Sequence, residues 1–562
     1  MLKALVLDAF SRSAVETIQS LGRHGVEVHA SAPENCLAFH SRRVHSRWEQ
    51  PTTNEPRLFL EWLRRLDLEQ GYSLIVPSTE YSLLALSKTA EEDVLRAKAQ
   101  LPDSNALETA FDKWKTVVAA KACGIATPPT RLIESLSEVS APESYPVVLK
   151  TARSLVRIGD EIIRMDSMLA RDPIEWERFL RVLLPYTPVL EQPCLSGYGV
   201  GIEMLFRHGQ LVWYFCHRRL HEGSGAGGLG SASWYRCSME APPDLLRQST
   251  ELMKRLCWHG VAMIEFLRAS DGPYWLMEIN PRLWGSVGLA IDAGVDFPWG
   301  LLLSATGQTL PPQPIYRVPY YARAIEEDAR WMFGLARSKP LMGIRELVKV
   351  GRPVLGCESW DYFDWGDFGV AFAGTSQFLR QAGRSLQKRF RAASERRHAR
   401  TLHQANVARI GPSKLTMRRL LFLCYGNICR SPFAEALARR LLPTLDICSA
   451  GFHPNSGRTS PVLFQACARS LGVDLTNHRS RSVSVEMVKS ADIVLLMDFN
   501  NLEEFQHQYS DQLGKVLMLG MLVSPWSEIR DPYGTNVQQT IRVLEQAVAA
   551  IEGLTRWLET PS

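Results

Sequence analysis

No uninterrupted apolar stretch in the 562 residues approaches the ~20 that a helix needs to cross a bilayer, which argues against a transmembrane segment. The 11 cysteines lack the paired spacing of small secreted scaffolds, and no CxxC repeat of the zinc-binding kind occurs. They suit a reducing compartment, so a cytoplasmic location is expected. Charge of one sign is scarce as well: a net +5 over this length gives no reason to expect nucleic acid as a partner. Residues 1–109 have no GxGxxG, so the opening strand and helix carry no dinucleotide signature. Met1 to Phe10 reads as a strand rather than a signal peptide, because Asp8 interrupts a short apolar run. No internal repeat is found.

What is present is an ordinary globular composition, 46% apolar and 22% charged, in a chain long enough for three or four domains. Strands and helices alternate from the start. Leu2–Leu7 reads as a strand, Ala14–Leu21 as an amphipathic helix, Val26–Ala30 as a strand, and Ile75–Pro77 as the end of another. This pattern predicts a small doubly wound α/β domain over residues 1–109.

The run Cys424-Tyr425-Gly426-Asn427-Ile428-Cys429-Arg430-Ser431-Pro432 follows the apolar Leu420–Leu423 and precedes a helix-like segment starting near Pro432. A strand, a tight loop and a helix N-terminus are expected, with a thiol at the loop's entry. Backbone N–H groups in such a loop, with the helix dipole, bind an anion and lower a thiol pKa. Arg430 adds a guanidinium fork for two phosphate oxygens. Cys424 is thus the candidate nucleophile and Arg430 the clamp. Tyr425, Gly426, Asn427, Ile428, Cys429 and Ser431 form the candidate phosphate-binding loop, with Ser431 able to donate to the sulfur.

From about Lys414 onward the chain closely resembles the low-molecular-weight protein tyrosine phosphatases. Ser449-Ala450-Gly451, Asn477-His478-Arg479-Ser480, a strand-like Ala491–Asp498 and Asp531-Pro532-Tyr533-Gly534 follow in the family's order. The resemblance implies a three-layer α/β domain with a central parallel sheet, a phosphocysteine intermediate and no cofactor. It makes Asp531 the general acid, then the base toward water, and sets Tyr533 beside an aromatic ring. It also makes Cys429 a partner able to trap Cys424 as a disulfide. The segment 452–458 lacks the tryptophan common in eukaryotic members, in a loop that shapes substrate choice. Arsenate reductases share the Cys-x5-Arg loop but need a further cysteine pair, and Asp498–Ser562 contains no cysteine.

Gly260–Leu267 meets Tyr274–Arg282 through Asp271-Gly272, a strong hairpin signal. A two-residue turn there sets Glu265 opposite Glu278, with Asn280 on the same face. Opposed carboxylates repel on a bare sheet, and an all-oxygen set suits Mg²⁺. Glu265, Glu278 and Asn280 are therefore the candidate metal ligands. The surrounding segments resemble the ATP-grasp superfamily of carboxylate–amine ligases. Asp112-Lys113 with Gly124-Ile125 and Pro128 is similar to its entry segment, Tyr145–Lys150 to its strand-borne lysine, and Val189-Leu190-Glu191 to its hinge. The resemblance implies ATP and Mg²⁺ as cofactors, and a small carboxylate and an amine as substrates. Lys113 and Lys150 would meet ATP phosphates, Glu191 the adenine and ribose, and Arg282 the transferred phosphate. His217-Arg218-Arg219 and the glycine-rich 223–230 are expected to face the acceptor. The loop 151–159 has fewer glycines than many relatives, so Arg153 and Arg157 are expected to supply charge there.

Ser359–Trp365 is aromatic and acidic, and is expected to pack as a loop on the ATP-grasp domain. Arg380, Arg384, Lys388, Arg389, Arg391, Arg396, Arg397 and Arg400 crowd a helix-like stretch whose only acid in that span is Glu395. A weak membrane-surface contact is expected through 380–400. The expected division is a doubly wound domain at 1–109, an ATP-grasp domain at 110–307, a packed segment and basic linker at 308–413, and a phosphatase domain at 414–562. The expected function is bifunctional: hydrolysis of a phosphotyrosine protein or small aryl phosphate, and ATP-dependent activation of a carboxylate for ligation. The alternatives are a non-ligating ATP sensor that regulates the phosphatase, or a phosphatase acting on a phosphorylated metabolite.

Overall fold

The computed structural model describes residues 2–222, 233–269, 272–339, 341–342, 346 and 356–560, and within these not the side chains at 333, 336–338, 382 and 385–394. The chain divides into two units, Met1–Pro173 with Thr187–Arg380 and Ile174–Tyr186 with Gln381–Ser562.

The first unit opens with a parallel sheet of order β3-β2-β1-β4, made of β1 (Lys3–Leu7), β2 (Glu27–Ala32), β3 (Val44–Glu49) and β4 (Leu74–Pro77). Alternate residues of β1 enter different cores, Ala4 and Val6 on one face and Leu5 and Leu7 on the other. A strand buried on both faces reads as a continuous apolar run, as this one does. Helix α1 (Arg12–Arg23) follows β1 and is capped by Ser11; α2 (Glu80–Leu86) follows β4 and is capped by Thr79. Asp8 ties the two strand ends together, accepting from Gln50 Nε2 at 2.6 Å and Thr79 Oγ1 at 2.5 Å. Arg12 and Glu80 thereby start their helices at one edge of the sheet, beside the point where strand order reverses and ligands of such sheets bind.

Helix α3 (Lys113–Ala122) is capped by the Asp112 carboxylate. A second sheet of order β5-β10-β6-β9 follows, from β5 (Arg131–Ile133), β6 (Val147–Thr151), β9 (Met168–Ala170) and β10 (Val189–Pro193); β7 (Leu155–Ile158) and β8 (Glu161–Arg164) form a separate hairpin. The largest sheet has seven strands in the order β15-β14-β11-β12-β13-β16-β17. These are β11 (Tyr198–Arg207), β12 (Gln210–Glu222), β13 (Ser233–Ser238), β14 (Gly260–Arg268), β15 (Tyr274–Asn280), β16 (Tyr321–Arg323) and β17 (Glu358–Trp360). It therefore runs past residue 307, the end of the span read from the sequence, and incorporates part of the aromatic, acidic segment as its edge.

A 43-residue helix, α4 (Phe368–Ile410), leads into the second unit. Arg380, Arg384, Arg396, Arg397 and Arg400 on it are exposed. The side chains of Lys388, Arg389 and Arg391 lie outside the described residues. The parallel sheet of this unit has the order β19-β18-β20-β21, from β18 (Arg419–Cys424), β19 (Asp446–Gly451), β20 (Ile493–Leu496) and β21 (Val516–Met518). Helix α5 (Arg430–Leu441) packs on β18 and β19, and α6 (Val537–Glu559) packs against α5. No single described helix is long and apolar enough to cross a membrane.

Candidate active sites

Cys424 ends β18, and residues 425–429 lead directly into α5, whose first residue is Arg430. The sulfur is buried, accepts the Asn427 N–H at 3.2 Å and lies 3.1 Å from Ser431 Oγ. Asn427 sits at φ 51°, in the left-handed region that asparagine tolerates better than most residues. Its side chain pins that turn. Nδ2 donates to Ser431 Oγ and Ser449 Oγ, both at 2.9 Å, and Oδ1 accepts from Arg481 N–H at 2.9 Å. His478 Nε2 lies 2.7 Å from the Asn427 carbonyl oxygen. Ser449 Oγ donates in turn to buried Glu435 at 2.5 Å. Gly451 allows the close approach: a Cβ there would lie 2.7 Å from Tyr425 O and 2.8 Å from Asn427 N.

Arg430 is 2% exposed and pairs with Asp498 and, at 3.1 Å, with Asp531 Oδ2; it also donates to Ile529 O at 3.0 Å. Burial works against its charge, yet Cys424, Asp498 and Asp531 outweigh it and hold the guanidinium above its ordinary pKa. Asp531 is half exposed. Tyr425 and Tyr533 are exposed, and Tyr425 meets His453 edge-on at 5.7 Å between ring centroids. Arg458 Nη2 donates to Gly426 O at 2.6 Å, bringing the loop that lacks tryptophan back to the turn after Cys424. Cys429 is buried, and burial pushes its thiol pKa up.

In the first unit, Glu265 lies directly opposite Glu278, and Asn280 opposite Met263. The pairing does not come from a simple two-residue turn. From Arg268↔Tyr274 to Phe266↔Leu276 the ladder is one residue out of that register, and a bulge between Glu265 and Phe266 restores it. Asp271, expected in the turn, lies outside the described residues. Asn280 Nδ2 donates to Glu265 Oε1 at 3.0 Å and Glu278 Oε1 at 3.1 Å. Arg219 Nη2 lies 2.6 Å from Glu265 Oε2. These four residues, with Arg282 and Glu80, border a cavity of about 220 Å³. Lys113 borders an adjoining smaller cavity with Glu278 and Arg282, and its Nζ donates to Ser154 Oγ at 2.7 Å.

Burial pushes the Lys113 ammonium pKa down, against the pull of Glu278 and Glu80. It likewise holds Lys150 down to about 8, although Glu278 favours its charge. Burial also pushes Glu265 up. On Glu278 the Lys113 ammonium and the Asn280 amide outweigh burial and keep it below the usual carboxylate range. Of the two opposed carboxylates, Glu278 ionises first.

Residues 419–560 match the family model described as Low molecular weight phosphotyrosine protein phosphatase. The "Probable low molecular weight protein-tyrosine-phosphatase EpsP" of Ralstonia nicotianae is 33% identical over 144 residues, covering 25% of this chain and 94% of that protein. The chain belongs to the low molecular weight phosphotyrosine protein phosphatases. Another relative in this phosphatase family, Ptp of Acinetobacter johnsonii, is 33% identical over 121 residues, 21% of this chain and 82% of that protein. Residues 186–325 match a second family model, described as ATP-grasp in the biosynthetic pathway with Ter operon. The solved structure of an L-amino acid ligase from Bacillus licheniformis aligns with a TM-score of 0.43 and 17% identity, over 56% of this chain and 75% of that one. The chain thus joins a phosphatase domain to a segment that matches an ATP-grasp family model.

An ATP-grasp domain implies ATP and a divalent metal, and the residues present fit both. Glu265 and Glu278 offer oxygens on one cavity wall, the hard donors such a cation takes, and Asn280 would add its own with the amide turned over. Among the described residues no three His, Cys, Asp or Glu side chains cluster as a metal site, so Asn280 is needed to complete the set.

Other expectations need correction. Lys150 pairs with Leu190 across the ladder, so Glu191 projects from the opposite face, where Arg131 Nη2 lies 2.8 Å from its carboxylate. Strand alternation thus separates Glu191 from Lys150. Arg153 pairs with Glu108 and Arg157 reaches Asn54 O at 3.4 Å; Arg164, at the end of the β7–β8 hairpin, borders the cavity instead. Of His217-Arg218-Arg219, His217 is fully buried 3.0 Å from Glu203, Arg218 is exposed, and Arg219 borders the cavity. The glycine-rich 223–230 lies outside the described residues. Sequence reading missed Asp498, Glu435 and Arg481 behind the phosphate-binding turn, and Arg12, Glu80 and Arg236 at the cavity. Arg12 and Glu80 carried a signal, since each starts a capped helix straight after a strand's C-terminal end.

Proposed function

We propose that this chain is a bifunctional enzyme, a phosphotyrosine phosphatase fused to an ATP-dependent carboxylate–amine ligase. The observation that supports the first activity is the Cys424 sulfur held by the Asn427 N–H and Ser431, in a loop that ends on Arg430. Both donors are placed to meet the sulfur when it leaves phosphorus. A phosphate ester seated on the loop and the Arg430 fork presents phosphorus to sulfur. The S–P bond forms as the P–O bond to the aryl oxygen breaks, and Asp531 gives its proton to that oxygen. Water then attacks phosphorus, Asp531 takes its proton, and the S–P bond breaks to release phosphate and the thiolate. Asp531 Oδ2 lies 3.1 Å from Arg430 Nη2, within reach of an ester held by the clamp.

In the ligase, Lys113, Lys150 and Arg282 neutralise phosphate charge, and Glu265, Glu278 and Asn280 hold Mg²⁺. When bound, the metal screens repulsion between nucleotide and acceptor. The γ-phosphate passes to a substrate carboxylate with release of ADP, and an amine displaces phosphate from the acyl phosphate. The substrates are a phosphotyrosine protein or small aryl phosphate on one side and a small carboxylate and amine on the other. The free cysteines suit a cytoplasmic setting. The regular, glycine-poor β7–β8 hairpin supports a second reading, in which the ATP-grasp domain binds ATP without ligating and regulates the phosphatase.

The test is aryl phosphate hydrolysis by the full chain and by Cys424→Ser, each with and without ATP and Mg²⁺. Metal-independent hydrolysis abolished in the variant is expected; undiminished hydrolysis in Cys424→Ser would overturn the phosphatase reading. Release of ADP that depends on a carboxylate supports ligation. A change in hydrolysis on adding ATP, with no such ADP release, favours the regulatory reading.

A further inference from the structure

The seven-stranded sheet sorts the charges of the first unit's cavity by strand. Glu278 and Glu265 stand on β15 and β14, whereas Arg219 and Arg236 face each other across the β12–β13 ladder. Between them runs β11, which carries glycine at 199 and 201, opposite Leu267 and Glu265. A Cβ at Gly199 would lie 2.6 Å from Arg219 Cδ, so glycine leaves the floor low enough for Arg219 to lie across it. At ~4.8 Å per strand, β13 stands on the order of 14 Å from β14. The carboxylates of β14 and β15 thus stand beside Arg164, Arg219 and Arg282, while Arg12 and Arg236 line the cavity away from them.

Arg219 is engaged by Glu265, but the nucleotide and metal reading leaves Arg12 and Arg236 without a task. The two share their acceptors. Arg12 Nη1 lies 3.2 Å from Asp361 Oδ2 and 3.4 Å from Ser233 O; Arg236 Nη1 donates to Ser233 O at 3.2 Å and its Nη2 pairs with Asp361. Arg12 Nη2 also lies 3.4 Å from Glu327. Burial disfavours the charge on Arg12, but Asp361, Tyr362 and Glu327 outweigh it. Asp361 is 3% exposed and belongs to the aromatic, acidic segment next to β17. Its neighbour Tyr362 is tied by its N–H to Glu16 at 3.0 Å. Asp361, Ser233 and Glu327 engage the Nη atoms of the two guanidiniums, and Tyr362 also bonds to Arg12. Arg236, 1% exposed, has a buried Nε with no acceptor among the described residues.

Resting on the ligase reading, we propose that Arg12 and Arg236, aimed by Asp361, bind a second carboxylate of the acceptor, one that is not activated. The ligase substrate is then a small acid with two carboxylates, its reacting end toward Glu265 and Glu278. A cavity of about 220 Å³ limits it to a small molecule.

Glutarate and its half-amide, matched in shape and differing by one charge, are the probes. Each is titrated calorimetrically into the full chain, with and without Mg²⁺ and a non-hydrolysable ATP analogue. Glutarate is expected to bind at least ~10-fold more tightly, the scale of a lost charge-assisted pair. Equal affinities, or no binding of either, would overturn the proposal. Asp361→Asn separates aim from charge. Removing a nearby negative charge would strengthen anion binding on electrostatics alone, so weaker glutarate binding marks the positioning role, and stronger binding refutes it. Arg236→Gln should erase the difference between the probes, with binding of the ATP analogue as its check on folding. If that variant does not fold, the wild-type comparison still decides. Failure to bind the ATP analogue would instead sink the ligase reading, and the titrations without nucleotide would still judge the carboxylate site.

Discussion

Asn427 holds Ser431, Ser449 and the Arg481 N–H with one side chain while its own N–H meets the Cys424 sulfur. Asn427→Ala frees all three partners and removes a residue type suited to φ 51°. Steady-state kinetics should show kcat on an aryl phosphate falling about 100-fold, the equivalent of ~2.7 kcal/mol. Asp531→Asn should lower kcat/KM ~10²–10⁴-fold for phenyl phosphate and far less for a nitrophenyl ester, whose leaving oxygen needs no proton. A uniform loss across leaving groups would contradict the acid role. Glu16 bears on stability instead. Burial, with Asp361 and Asp292 nearby, pushes its carboxyl up to about 8 from an ordinary 4.5. Folded Glu16 keeps its proton across that window while the unfolded chain loses it, so stability declines as pH rises from 4.5 to 8. Glu16→Gln keeps an acceptor for the Tyr362 N–H. Thermal unfolding should show it more stable than the parent at pH 8 and no more stable at pH 4.5.

At the scale of elements, both sites depend on strands that carry little side chain where chain must meet chain. Gly451 at the end of β19 lets the turn after Cys424 close, and Gly451→Ala should push Tyr425 and Asn427 outward. The expected result is a loss of aryl phosphate turnover with the circular dichroism spectrum preserved. The strand–turn–helix around Cys424 was legible because its signals, an apolar run and a cysteine–arginine spacing, all lie within a dozen residues. The Glu265–Glu278 pairing was legible for a weaker reason. Alternation put both carboxylates on one face, but the bulge that aligns them leaves no mark in the sequence. Glu191 shows the converse: the motif suggested a ligand, and alternation beside Lys150 turned it to the other face.

For the molecule as a whole, the two proposed chemistries have opposite metal requirements, so they should separate cleanly. A chelator should abolish acceptor-dependent ADP release and leave aryl phosphate hydrolysis unchanged. Glu278→Gln should do the same without a chelator, and coupled assays on one preparation check both. The amino-acid sequence by itself determined the two fold classes, and it singled out the residues proposed as nucleophile, clamp and metal ligands, because each rests on residue type and short spacing. Tertiary structure alone decided which distant groups meet them. Asp498 reaches Arg430 because β20 lies beside β18, and Asp361 joins Arg12 to Arg236 because β17 ends the sheet next to β16. Strand order is set by how apolar faces pack together, which no local run of residues encodes.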